Sequence, residues 1–146
     1  MSIITENTVK IQAELPKSDP TKKIDVFYNP VMESNRNISV LLLNSISNKE
    51  MNIALPLCGS GVRGLRFLKE LKKGKINHLW VNDIKENFPE LFSDCLKRNK
   101  LSKKNVTVRN VDANLFLQNE IDENKPNGFC GYFDYIDIDP YGSPNP

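Results

Sequence analysis

Apolar and polar positions follow a pattern whose period changes several times along the chain. VKIQAEL (Val9 to Leu15) alternates, as a half-buried strand does. Pro16 and Pro20, set among Lys, Ser and Asp, end it in a loop. FYNPVM (Phe27–Met32) is a short aromatic segment held by Pro30. From Glu33 to about Ile46 the spacing is helical, with Ile38, Leu41, Leu42 and Ile46 on one face. NIALPLC (Asn52–Cys58) is a continuous apolar run. It leads into GSGVRG (Gly59–Gly64) and an amphipathic helix from Leu65 to Lys73, closed by Gly74. HLWVND (His78–Asp83) is the next apolar run. A helix from about Asn87 to Asn99 follows it, with Pro89 in the first turn. VTVRNVD (Val106–Asp112) predicts a third strand, ANLFLQNEI a third helix, Asp122–Gly128 a surface turn, and YFDYIDID (Tyr132–Asp139) a fourth strand.

Strands alternating with helices predict an α/β fold with a parallel sheet and right-handed crossovers. Residues 1–30 form an N-terminal strand and lead-in, and residues 31–146 the α/β unit. There is no internal repeat and no low-complexity tract. In open sheets of this kind, ligands bind beyond the carboxyl ends of the strands.

Composition narrows the classes. The chain has 146 residues, of which 39% are hydrophobic, enough to bury one core and to exclude wholesale disorder. Its 20 basic and 18 acidic side chains leave a net charge of +2, which by itself selects no polyanionic partner. No apolar run approaches the ~18 residues of a membrane span. MSIITENTVK lacks the basic flank and apolar core of a secretion signal. Cys58, Cys95 and Cys130 make an odd set without CxxC spacing. That argues against a disulfide framework or zinc site and for a reducing, cytoplasmic home. Lys97, Arg98, Lys100, Lys103, Lys104 and Arg109 cluster against one acid, Asp94. Such a cluster suits nucleic-acid phosphates or, more simply, a solvated face. Trp80 and the cysteines are expected in the core, and His78 carries no assigned role.

All four strands end in small or acidic residues: Gly59-Ser60-Gly61, Asn82-Asp83, Asp112-Ala113, and Asp137-Ile138-Asp139-Pro140-Tyr141. One such end is a tight turn or a helix cap; four on one edge converge on one crevice. The glycines admit a ligand close to the backbone. Asp83 follows Gly61 by 22 residues, where nucleoside-binding folds set an acid on the ribose hydroxyls. Asp112 is placed to accept from an adenine amino group. Gly59-x-Gly61-x-x-Gly64 matches the dinucleotide fingerprint formally. Arg66, near a helix start, suits a carboxylate or a pyrophosphate alike. The loop alone leaves NAD and S-adenosylmethionine both open.

The fourth strand separates them. Asp139-Pro140-Tyr141 is similar to the [Asp/Asn/Ser]-Pro-Pro-[Tyr/Phe] signature of methyltransferases acting on amino nitrogens, one proline short. The lone pair of an exocyclic amine is delocalised into its ring. A carboxylate and a backbone carbonyl that accept from its N–H groups favour a pyramidal nitrogen. Pro140 fixes the carbonyl and Tyr141 offers a face for a flipped base. Acids at 134, 137 and 139 in one apolar strand are expensive to bury without a use.

Taken together, FYNPVMESNRNISV, GSGVRGLR, LWVNDI and FDYIDIDPYGSP resemble, in that order, the archaeal and eukaryotic tRNA (guanine-26 N2)-dimethyltransferases, from about Val26 to the last residue. The resemblance implies a Rossmann-like S-adenosylmethionine-dependent methyltransferase fold, and an enzyme that dimethylates guanosine-26 of tRNA without a metal. It implies that Arg36, Arg66, Asp83, Asp112 and Ala113, with Gly59 and Gly61 of the loop, bind S-adenosylmethionine. It makes Asp139, with Pro140, catalytic, and sets Phe27 and Tyr141 on either side of the base. Two departures stand out. Leu55 and Pro56 occupy the place where the family commonly has an acid. Members are also much longer, so residues 31–146 are expected to be a partial methyltransferase domain, truncated after the fourth core strand and inactive alone. Competing readings are a methyltransferase of another base or of a protein amine, a nicotinamide oxidoreductase, and a non-catalytic nucleoside-binding fragment. The oxidoreductase leaves the Asp-Pro-Tyr strand unexplained.

Overall fold

The computed structural model describes residues 2–13, 26, 28–124 and 132–140. Strands β1 (Ser2–Glu6) and β2 (Val9–Ala13) form an antiparallel hairpin. Then come helix α1 (Glu33–Ser45), β3 (Met51–Leu55), α2 (Val62–Glu70), β4 (Ile76–Asn82), α3 (Phe88–Arg98), β5 (Val106–Arg109), α4 (Ala113–Asn124) and β6 (Tyr135–Ile136). The last four strands make a parallel sheet in the order β5-β4-β3-β6. Ala54 is aligned with Trp80 on one side and with Ile136 on the other.

The continuous apolar runs are explained by burial on both faces of the sheet. Side chains alternate along each strand. Ile53, Leu55, Leu79 and Val81 join the main core with Leu65 and Phe67 of α2 and Phe92 of α3. Ala54 and Trp80 point to the other face and meet Phe116 of α4. The hairpin shares the main core through Val9, Ile11 and Ala13, all fully buried.

Several expectations shift. The strand at Val9 ends at Ala13, and Leu15 lies outside the described residues. Helix α2 begins at Val62, not Leu65, because Gly61 sits at φ +77° as its cap and its carbonyl already accepts from Leu65 N at 3.0 Å. Gly64 is therefore helical. A Cβ there would come within 3.2 Å of Leu55 and 3.3 Å of Val81, so its absence lets α2 lie close on the sheet. Strand β5 stops at Arg109 rather than at Asp112, and β6 is two residues long rather than eight. Of the three acids around β6, Asp134 is exposed and accepts the backbone N–H of Asn52 at 2.7 Å. Helix α4 runs through the start of the expected turn at Asp122.

The largest reversal is in α1. Ile38, Leu41 and Leu42 are exposed, while Arg36, Ser39, Val40 and Leu43 are buried. The helix turns its polar side inward because buried charges await it there. Cys95 is buried and Cys58 half-buried, as expected of small core residues; Cys130 lies outside the described residues. Among the described residues no helix is long and apolar enough to cross a membrane.

Candidate functional site

The carboxyl ends of β3, β4 and β6 and the loop after β5 lie along one edge of the sheet. Gly59 (φ +56°) and Gly61 (φ +77°) turn the chain between β3 and α2. A Cβ at Gly59 would meet nothing within 4 Å, so this side of the loop is open. At Gly61 it would come within 2.6 Å of the Phe92 ring, which excludes any side chain.

Asp83 is buried just beyond β4. Its Oδ2 accepts the N–H of Gly59 at 2.7 Å and its Oδ1 that of Lys85 at 3.1 Å. The acid and the glycine loop are thus one unit. Asn82, fully buried, donates to the carbonyls of Pro56 and Val111 and accepts from Val111 N–H, stitching three strand ends together. Asp112 caps α4: its Oδ1 accepts from Asn114 N at 2.9 Å and Leu115 N at 3.1 Å. Ala113 is the first residue of that helix and is half-buried. Burial, and next the nearby Asp83 carboxylate, push the Cys58 thiol well above its ordinary range, so it stays neutral beside the loop.

Arg36 and Arg66 meet at one buried carboxylate, Glu6 at the end of β1. Arg36 forms a two-pronged pair with it, Nε donating to Oε1 at 2.8 Å and Nη2 to Oε2. Arg66 Nη1 donates to Oε1 at 2.9 Å, and the Tyr28 hydroxyl donates to Oε2 at 2.7 Å. Burial opposes the charge on Glu6, but bonds from Arg36, Tyr28 and Arg66 outweigh it and hold the carboxyl below its ordinary pKa. Arg66 also grips Glu70 and Asn37.

Arg63, one turn before Arg66, is the arginine that reaches the fourth strand. It donates to Ser39 Oγ (2.8 Å), Asn35 Oδ1 (2.8 Å) and Asp139 Oδ2 (3.0 Å), and its Nε lies 3.2 Å from Asp137 Oδ1. Asp139 is 41% exposed and Asp137 only 11%. Pro140 follows, half-buried. Phe27 and Tyr141, expected to stack on a base, lie outside the described residues. A pocket of about 350 Å³ at the opposite end of the sheet, lined by Leu68, Leu71, Lys72 and Lys104, involves none of these groups. Among the described residues no three His, Cys, Asp or Glu side chains are grouped as a metal centre requires.

Sequence reasoning missed Glu6, Asn82 and the bonds of Arg63. Asn82 was visible as an amide at a strand end. The partners of Glu6 and Arg63 are too distant along the chain for any local pattern to reveal.

A parallel sheet with a glycine loop after its first strand, and acids beyond the next three, defines a Rossmann-like fold, and its likeness to Trm1 makes it a methyltransferase fold. The chain belongs to the N2,N2-dimethylguanosine tRNA methyltransferase family, whose model matches residues 5–146. It is 38% identical to the tRNA (guanine(26)-N(2))-dimethyltransferase of Methanococcus aeolicus, over 100% of this chain and 38% of that protein. It is 35% identical to the tRNA (guanine(26)-N(2)/guanine(27)-N(2))-dimethyltransferase of Aquifex aeolicus, over 100% of this chain and 36% of that protein. Among solved structures it is similar to Trm1 from Pyrococcus horikoshii with S-adenosyl-L-methionine: TM-score 0.75, 29% identity, 99% of this chain and 37% of that one. The chain thus spans well under half the length of these relatives.

Proposed function

We propose that this chain carries the cofactor site and the catalytic acid of an S-adenosylmethionine-dependent methyltransferase that dimethylates the exocyclic N2 amine of guanosine-26 in tRNA. One observation carries the reading. Asp139 stands just past β6, directly beside β3, whose own carboxyl end runs into the glycine loop. An amine-binding acid and a nucleoside-binding loop therefore share one crevice.

The residues fit the cofactor. The open side of Gly59 leaves room for a ligand against the backbone. Asp83, already braced by Gly59 and Lys85, is placed to accept from both ribose hydroxyls. Asp112 and Ala113 border the adenine, and Gly61 and the start of α2, with its helix-end positive potential, lie against the methionine portion. Arg36 and Arg66, which the resemblance assigns to its carboxylate, are instead buried in this structure with their charge already balanced by Glu6 and Glu70. When bound, S-adenosylmethionine supplies an electrophilic methyl group. Asp139 accepts one N–H of the guanine N2 amine and the Pro140 carbonyl accepts the other. These bonds draw the nitrogen toward a pyramidal geometry and free its lone pair to take the methyl group, leaving S-adenosylhomocysteine, while Asp139 takes up the proton that the nitrogen loses; in the second round one N–H remains, and Asp139 is its acceptor. Phe27 and Tyr141, outside the described residues, are assigned to the base by the family resemblance alone. The same reading names tRNA as partner and the cytoplasm as compartment.

Calorimetric titration of the full gene product with S-adenosylhomocysteine and with NAD, followed by a labelled-methyl transfer assay on tRNA, tests this. Binding of the first ligand only, with label recovered as N2,N2-dimethylguanosine at position 26, is the expected result. Binding of NAD only, or label on another base or on protein, overturns it.

A further inference from the structure

We infer that Arg63 is the positioning residue of the proposed amine-binding acid. It fixes one oxygen of Asp139 so that the other is presented to the target nitrogen. The inference rests on the reading of Asp139 given above.

The geometry is unequal on the two sides of Arg63. Its side chain is only 7% exposed, and a buried guanidinium must have its donors matched. Two of its four acceptors, Ser39 and Asp137, are held by further bonds of their own. Asn35 and Ser39 sit on α1, and the Ser39 hydroxyl itself donates to the Asn35 carbonyl at 3.2 Å. Asp137 is nearly buried and accepts the Tyr135 hydroxyl at 2.6 Å through its other oxygen. The guanidinium is therefore anchored by α1 and by the β6 segment. The fourth acceptor is different. Asp139 is 41% exposed, past the end of β6, and among the described residues Arg63 is its hydrogen-bond partner. The fixed group is Arg63; the group whose orientation depends on it is Asp139.

The chemical consequence concerns both charge and direction. Oδ2 of Asp139 is occupied by the guanidinium, so Oδ1 is the oxygen left to accept from an amine. A guanidinium is planar and aims its N–H groups rigidly, which a lysine ammonium does not. Lysine at 63 keeps a positive charge but cannot hold Asp137 and Asp139 at once while also reaching Asn35 and Ser39. Misplacing a reacting group by about 1 Å costs on the order of 100-fold in rate. A role confined to holding β6 against α2 would instead disturb the nearby glycine loop and the cofactor together.

A double-mutant cycle on the full gene product separates these roles. Arg63→Lys, Asp139→Asn and the pair are measured for methyl transfer to tRNA, as kcat and KM, and for S-adenosylhomocysteine affinity. The expected result has three parts: R63K lowers kcat at least tenfold, leaves the dissociation constant within about twofold, and takes nothing further from D139N. A kcat for R63K near that of the wild type, a matching loss of cofactor affinity, or a full multiplicative loss in the double variant overturns the role of Arg63. If R63K fails to fold, Asn35→Ala replaces it. That variant keeps the charge and loosens only the anchor, so a fall in kcat alone supports the role and an unchanged kcat overturns it. Absence of transfer in the wild type, or transfer that survives D139N, overturns the underlying reading of the site instead.

Discussion

Asp83 holds Gly59. Its Oδ2 accepts the glycine N–H at 2.7 Å across 24 residues of chain, so the proposed ribose acid and the loop beneath it cannot move apart freely. Asp83→Ala removes this brace together with the two charge-assisted bonds to ribose proposed for it, each of which would be worth ~1.5–3 kcal/mol. Affinity for S-adenosylhomocysteine is expected to fall tenfold or more by calorimetry. A dissociation constant equal to that of the wild type removes Asp83 from the cofactor site.

Gly61 is required twice over, by its φ of +77° and by the Phe92 ring 2.6 Å from where a Cβ would stand. Gly61→Ala combines left-handed strain of ~1–2 kcal/mol with overpacking of ~1–3 kcal/mol. Gly59→Ala meets only the first cost, since the space beside it is open. Asn7, Glu50 and Lys100 already carry that conformation in this chain. Thermal melts are expected to place G61A clearly below G59A. Equal melting temperatures mean that Phe92 gives way at no cost.

Asp139→Asn keeps the shape of the side chain but replaces one acceptor oxygen with a donor. If Asp139 binds the target amine, methyl transfer by the full gene product falls ~100-fold or more with cofactor affinity retained. Activity within threefold of the wild type would refute the role. Asp137→Asn acts differently. Asp137 is nearly buried between Arg63 and Tyr135, so its loss is expected to lower the melting temperature as well as the rate.

What was legible in the sequence was the sheet. Ile53, Leu55, Leu79 and Val81 sit in apolar runs that only a strand covered on both faces tolerates, and the glycine loop and the acids follow them directly. Helix α1 misled for the opposite reason. Its apolar stripe at Ile38, Leu41 and Leu42 faces outward because Arg36, Asn35 and Ser39 are drawn to partners on β1 and α2. Those partners lie 24 to 30 residues away, beyond the reach of any periodicity. Strand β1 was missed because SIITE sets Ile3 and Ile4 side by side instead of alternating, and its partner β2 supplies the pattern. Strand β6 was overestimated: YIDID alternates as a long strand would, but only Tyr135 and Ile136 find partners on β3. Asp112 was ambiguous between helix cap and ligand contact, and its capping bonds use Oδ1.

The most distant of these contacts also predicts a pH dependence. Glu6 joins the N-terminal hairpin to α1 through Arg36 and to α2 through Arg66, and its carboxyl is held below the ordinary 4.5. A carboxyl lowered on folding contributes its full stability above its unfolded pKa. It loses that contribution as pH falls through 4.5 toward the folded value, because the unfolded chain then binds the proton more readily. Tyr28 acts at the other end. Burial, and then its bond to Glu6, raise its pKa from 10 to about 12. Its contribution is present below 10 and disappears between 10 and 12. Glu6→Gln takes this carboxylate from both Arg36 and Arg66, of which Arg66 keeps Glu70, an effect of about 3–5 kcal/mol for broken buried pairs. Thermal melts from pH 3.5 to 11 are expected to show E6Q well below the wild type at pH 7, with the gap narrowing below pH 4.5. Tyr28→Phe is expected to flatten the alkaline limb and, by removing one of the bonds that lower Glu6, to weaken the acid limb in part. An E6Q curve running parallel to that of the wild type through the acid range means that Glu6 is not the group whose protonation loosens the hairpin.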